Sequence, residues 1–122
     1  MITSRPYNKS FAGFYEFPGG KVKKNEFLLE ALKRELTEEL SLKININKLI
    51  FLCSYRVIRK KKKIDLNFFS VDSWYGKIEA LEKQEGKWIR LSEINDFKML
   101  SSNKKIINFL NCYLISSKNL LR

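Results

Sequence analysis

Gly20-Lys21-Val22-Lys23-Lys24-Asn25-Glu26-Phe27-Leu28-Leu29-Glu30-Ala31-Leu32-Lys33-Arg34-Glu35-Leu36-Thr37-Glu38-Glu39-Leu40-Ser41-Leu42 is the stretch that decides the fold. Leu29, Leu32, Leu36 and Leu40 recur at three- and four-residue intervals, which predicts a helix over roughly residues 27 to 40 whose apolar stripe docks on a sheet. Residues three and four apart share a helix face, so Glu35, Glu38 and Glu39 project together beside that stripe. Carboxylates crowded in this way repel one another unless a cation neutralises them, and hard oxygen donors suit Mg²⁺ or Mn²⁺. The plainer alternative is an acidic surface helix. Gly19 and Gly20 weigh against it, because a bare backbone permits close approach to a phosphate or metal. Glu26 starts the helix, where a carboxylate favours the positive end of the macrodipole. Arg34 can reach Glu38 one turn on, or hold another of the glutamates in place. Ser41 falls where a helix end usually wants glycine in a left-handed turn, a strain on the order of 1 kcal/mol.

Composition narrows the chemistry further. The 122 residues are expected to form a single domain, 1–122, with a modest core. Histidine is absent, which excludes Ser-His-Asp and Cys-His catalysis and histidine metal sites and leaves carboxylates as bases and ligands. Cys53 and Cys112 have no metal or redox spacing and read as reduced core thiols. With no stretch of membrane-spanning length and no signal-peptide pattern, the expected location is cytoplasmic. The net charge of +11 suits polyanions, either nucleoside triphosphates or nucleic acid. Its densest run, Arg59 and Lys60 to Lys63, lacks the interleaved aromatics of a single-strand binder, so nucleic acid is the lesser reading. The run is expected to cap a hairpin between Asn45–Ile58 and Ile64–Asp72, either as a solvated tip or as a substrate contact.

The remaining pattern alternates strands and helices. Phe14–Phe17 reads as a short strand entering the glycine turn, and Gly86–Leu91 as another strand. Ile106, Ile107, Leu110, Tyr113 and Leu114 repeat at helical spacing and predict a closing helix over about 103 to 116. Two helices around strands make an α/β sandwich.

The spacing from Gly20 through Glu26 to Arg34-Glu35-Leu36-Thr37-Glu38-Glu39-Leu40-Ser41-Leu42 resembles the Nudix box, G-x5-E-x7-R-E-U-x-E-E-x-G-U with U aliphatic. Only Ser41 departs, standing for the second glycine. Arg5 ahead of Glu16-Phe17-Pro18-Gly19-Gly20, and Ser102-Asn103 ahead of Ile106-Ile107, resemble MutT-type members of that family. The resemblance implies a Nudix α/β/α sandwich with a mixed β-sheet. It also implies Mg²⁺-dependent hydrolysis of 8-oxo-dGTP or 8-oxo-GTP to the monophosphate and pyrophosphate, by attack at the β-phosphorus.

On that resemblance Glu35, Glu38, Glu39 and the Gly20 carbonyl hold the metal, with Glu85 as an extra loop carboxylate for metal or base chemistry and Glu82 as its competitor. Arg34 belongs with the catalytic group. Arg5, Phe17 and Asn103 hold the base, and Lys62 or Lys63 supplies a basic contact. Each base residue has an ordinary alternative: Arg5 as a surface arginine, Phe17 as core packing, Asn103 as a helix N-cap.

Against relatives with a longer leading segment, Met1 falls almost on the second strand, and about one central strand is expected to be missing. A monomer is expected, with a strand-completing dimer as the alternative. Three functions compete: a MutT-like pyrophosphohydrolase, a Nudix hydrolase of another nucleotide such as CTP or dGTP, and a non-catalytic module that recognises oxidised guanine.

Overall fold

The computed structural model describes residues 1–82 and 84–120, with side chains through Leu114. In chain order the elements are β1 (Ile2–Ser4), β2 (Tyr15–Glu16), α1 (Leu28–Leu40), β3 (Ile50–Arg59), β4 (Lys62–Ser70), β5 (Gly86–Lys87) and α2 (Lys104–Leu120). Single 3₁₀ segments lie at Ile46–Lys48, Leu91–Asp96 and Ser101–Asn103. The chain is an α/β sandwich, as the alternating pattern predicts.

Strand β1 is the centre of a three-stranded antiparallel sheet, with Thr3 opposite Glu16 on one side and opposite Gly86 on the other. Flanked on both edges, Ile2 and Thr3 are each 1% exposed. Among the described residues the parallel contribution is a single bridge, Tyr15 with Met99, which ties this sheet to the segment leading into α2. Strands β3 and β4 form a separate antiparallel ribbon. Among the described residues no backbone hydrogen bond joins the two sheets.

The ribbon turns at Lys60 and Lys61, whose φ angles of 50° and 64° are both left-handed. That geometry matches the twist of a tight hairpin but normally selects Asn and Gly. The lysine run therefore divides: Lys60 and Lys61 make the turn, while Lys62 and Lys63 open β4. A bulge leaves Leu52 without a partner, between the pairs Phe51–Phe69 and Cys53–Phe68. Directly opposed residues share a face, so Cys53, Tyr55, Val57, Arg59, Lys62, Ile64, Leu66 and Phe68 lie on one side. No side chain of β3 or β4 is fully buried.

Helix α1 supplies the core. Leu36 and Leu40 pack with Leu42 and Ile44, against partly buried Met1, Leu32, Leu49, Val71 and Ile78. Leu29 sits at the half-buried rim of the stripe, and Ala31 is buried although the leucine spacing does not single it out. Ser41 adopts the left-handed conformation (φ 55°, ψ 25°), and the Leu42 N–H donates back to the Leu36 carbonyl, closing the helix end.

Other expectations shift. Only Gly86–Lys87 of the predicted Gly86–Leu91 strand pairs, because β1 offers just three residues, and the chain coils into 3₁₀ at Leu91. The start of the predicted Asn45–Ile58 strand is instead 3₁₀, with the Asn45 side chain accepting from the Asn47 N–H. Cys112 is exposed rather than a core thiol, and Cys53 is half-buried; both are free. No described helix is long and apolar enough to cross a membrane.

Candidate active site

Helix α1 carries Glu35 and Glu39 toward the glycine pair. The Gly19 N–H donates to Glu39 Oε2 at 2.9 Å. Gly20 lies directly against the Glu35 carboxylate, so any side chain there would strike it. This close approach is the structural reason for a glycine at that point.

Arg34 is the hub of the site. Its Nε donates to Glu26 at 2.7 Å, its Nη1 to Glu35 at 2.8 Å and to Glu38 at 3.2 Å, and its Nη2 to the Lys21 carbonyl at 2.9 Å. One guanidinium thus ties the loop after the glycines to the helix. Glu26 also accepts from the Lys23 N–H, and the Arg34 hydrogen bond chiefly holds its carboxyl down at about 2. The same contacts raise the Arg34 pKa further above its usual range.

Glu39 responds in the opposite direction. It is 8% exposed. Burial chiefly pushes its carboxyl up to about 7, opposed by the Gly19 hydrogen bond and reinforced by the nearby charges of Glu82, Glu35 and Glu16. A buried carboxylate within electrostatic reach of Glu82, Glu35 and Glu16 is one whose charge a cation stabilises.

The loop residue within that reach is Glu82, the competitor, and not Glu85. Tyr15 and Glu16 alternate in β2, so Glu16 faces the Glu39 side and Tyr15 the opposite side of the sheet. Glu85 accepts from the Tyr15 hydroxyl at 3.3 Å, and its backbone exchanges hydrogen bonds with Ser4. Counting back from Gly86 and Trp88 therefore leads to a glutamate on the Tyr15 side, away from Glu39.

The donor set of Glu35, Glu38, Glu39 and Glu82 is all oxygen and fits Mg²⁺ or Mn²⁺ in chemistry. Among the described residues no three such groups converge into a ready cluster, and Arg34 holds Glu35 and Glu38 in ion pairs.

The expected base residues come together in part. Asn103 is buried, and its Oδ1 accepts from the Phe17 N–H at 3.4 Å instead of capping α2. Phe17 meets Phe68 edge-on at 6.3 Å, and Phe68 stacks on Tyr55 at 5.6 Å. Tyr55 donates from its hydroxyl to the Ser102 carbonyl at 2.6 Å. Arg59, which sequence reasoning did not single out as a site residue, reaches the Ser102 hydroxyl at 3.1 Å. Lys62 shares the face of Arg59, whereas Lys63 lies on the other face of the ribbon with Ile58. Arg5 is neither free nor merely superficial: it pairs with Glu16 at 3.1 Å and donates to the Ser10 carbonyl at 2.7 Å.

These features match a known class. The family model described as "NUDIX domain" matches residues 1–110, and the chain belongs to the Nudix family. It is 42% identical over 110 residues to the 8-oxo-dGTP diphosphatase of Buchnera aphidicola subsp. Schizaphis graminum, covering 89% of this chain and 81% of that protein. It is 31% identical to the 8-oxo-dGTP diphosphatase of Escherichia coli, over 88% of this chain and 81% of that one. Among solved structures, a MutT from a study of the enzymes of Aliivibrio salmonicida and Vibrio cholerae superposes with a TM-score of 0.74 at 27% identity, over 88% of this chain and 80% of that one. The Nudix fold and a hydrolase acting on phosphoric anhydride bonds are thereby established for the chain.

Proposed function

We propose that the protein is a Mg²⁺-dependent, MutT-type pyrophosphohydrolase that converts 8-oxo-dGTP or 8-oxo-GTP to the monophosphate and pyrophosphate, cleansing the nucleotide pool used for DNA replication and repair. The observation that carries the reading is the contact of the Glu39 and Glu35 carboxylates with Gly19 and Gly20, in a chain 42% identical to an 8-oxo-dGTP diphosphatase.

Glu35, Glu38, Glu39 and Glu82 would hold the cation, with the Gly20 carbonyl as a further ligand. A bound divalent cation supplies neutralisation of adjacent phosphates and of charge developing on the leaving group. Arg34 keeps Glu35 and Glu38 oriented, and it holds the Lys21–Glu26 loop beside the helix where the phosphates would lie. Glu39 or Glu82 would take the proton from an attacking water. At the other end, the Phe17 N–H occupies Asn103 Oδ1 and leaves the amide nitrogen free to donate to an acceptor on the purine edge. Phe17 and Phe68 wall that space with apolar surface, and Arg59 or Lys62 supplies positive charge beside it. Arg5 acts by fixing Glu16 and its loop. The two free cysteines and a substrate drawn from the nucleotide pool accord with work in the cytoplasm, as a monomer.

The deciding experiment measures Mg²⁺-dependent pyrophosphate release from 8-oxo-dGTP, dGTP and CTP, with Glu39→Gln as control. Strong preference for 8-oxo-dGTP, lost in the control, supports the reading. Equal or better turnover of CTP or dGTP replaces it with another nucleotide. Binding of oxidised-guanine DNA without any hydrolysis replaces it with the recognition module.

A further inference from the structure

The loop that brings Glu82 to the α1 carboxylates is held by more than its own backbone. The Glu79 N–H donates to the Leu40 carbonyl at 2.9 Å and the Leu81 N–H to the Glu39 carbonyl at 2.8 Å, so the loop covers the open carbonyls at the end of α1. Neither bond fixes Glu82 itself. The Gln84 side chain does: it is buried, its Nε2 donates to the Glu39 carbonyl at 3.1 Å, and its Oε1 accepts from the Glu82 N–H at 2.8 Å. The amide orientation is forced by chemistry, since a backbone carbonyl only accepts and a backbone N–H only donates. Gln84 thus clips the main chain of Glu82 to the main chain of Glu39. The side chain of Glu39 is meanwhile fixed by the Gly19 N–H. The main chains of two glutamates remote in sequence are held together by a single neutral amide.

We infer that Gln84 is a positioning residue that sets the spacing between the Glu82 and Glu39 carboxylates, and with it the strength of cation binding there. The inference rests on the Proposed function for its kinetic arm alone. A buried amide is suited to the task because it adds no charge to an already acidic site, and because it can bond a donor and an acceptor at once. The fold itself depends on it little. Without Gln84 the Glu39 carbonyl keeps its bond from Leu81, and the part-buried N–H of Glu82, an exposed residue, can turn to water.

The test compares the full chain with Gln84→Met, which keeps the volume and loses both bonds, and with Gln84→Glu, which keeps the acceptor and loses the donor. Glu82→Gln and the Gln84→Met/Glu82→Gln double variant complete a cycle. Mn²⁺ affinity, read from the electron paramagnetic resonance signal of the free ion, is expected to weaken about 10-fold in Gln84→Met, while the circular dichroism spectrum stays native. On 8-oxo-dGTP the same variant is expected to lose about 10- to 100-fold in kcat with KM for the nucleotide nearly unchanged. In the Glu82→Gln background, Gln84→Met should add nothing to either quantity. Wild-type Mn²⁺ affinity in Gln84→Met, or losses that multiply in the double variant, would overturn the inference. Absence of nucleotide hydrolysis by the wild-type chain would instead overturn the Proposed function, and the Mn²⁺ measurements would still decide the role of Gln84.

Discussion

Stability of the metal-free protein should fall as pH rises, and Glu39 is the cause. Its carboxyl titrates at about 7 in the fold against 4.5 for the free group, so the folded state binds the proton more tightly. Between those values the folded chain carries more protons than the unfolded one, and stability declines with increasing pH until both forms are ionised. At about 1.4 kcal/mol per factor of ten in proton affinity, the loss amounts to about 3 kcal/mol. Solvent reaching the carboxyl screens part of this, so about 3 kcal/mol is an upper bound. For a domain of this size the change corresponds to roughly 10 °C in melting temperature. A chain without histidine gives a clean window: Glu26 and Asp65, both held low by arginine partners, change charge below it. The Met1 amine, lowered by burial, works with the opposite sign. Melting curves of wild type and Glu39→Gln in a chelating buffer, from about pH 5 to about pH 8, isolate the Glu39 contribution as a difference. The amide oxygen of the Glu39→Gln variant can still accept from the Gly19 N–H. The wild type should lose ground to the variant steadily across the window, and millimolar Mn²⁺ should restore it at the alkaline end. A constant difference between the two proteins at every pH would refute the reasoning.

Other perturbations have equally definite outcomes. Ser41→Gly relieves the left-handed strain at the end of α1 and should stabilise the protein by about 1 kcal/mol in urea melts, with activity retained. Lys60→Asn with Lys61→Gly places the preferred residues in the β3–β4 turn and should add about 1 kcal/mol in the same assay. Glu82→Gln should cost about 100-fold or more in kcat, whereas Glu85→Gln should stay within about twofold, since Glu85 is committed to Tyr15. Asn103→Ala should narrow the preference for 8-oxo-dGTP over dGTP by about 10- to 100-fold in kcat/KM, because a donor to the base edge is lost.

How much of this was legible beforehand varies with the kind of information each element needs. Helix α1, its leucine stripe and the strained Ser41 follow from spacing within one regular element, where period and position determine the face. Glu82 against Glu85 could not be read off, because a loop has no period; its geometry comes from the Gln84 clip and the bonds to Glu39 and Leu40. The short β5 was overestimated because Trp88, Ile89 and Leu91 look strand-like, yet pairing depends on how much edge β1 offers. Arg59 has no signature in the sequence, because both faces of the ribbon mix apolar and charged residues. Only the approach of Tyr55 to Ser102 reveals which face turns toward Asn103.

The isolation of the β3–β4 ribbon has a further consequence. Its backbone bonds close on themselves, and its side chains leave the buried cluster to α1 and the segments beside it. Opening the ribbon therefore breaks few interactions that the α1 carboxylates rely on. Two tiers of cooperativity are expected: α1 with the segments packed on it, and a ribbon that opens at lower cost while that part stays folded. Amides of β3 and β4 should exchange with solvent long before those of α1. Phe68 of the ribbon meets Phe17, and Tyr55 and Arg59 meet Ser102, from an element free to change without disturbing the buried cluster.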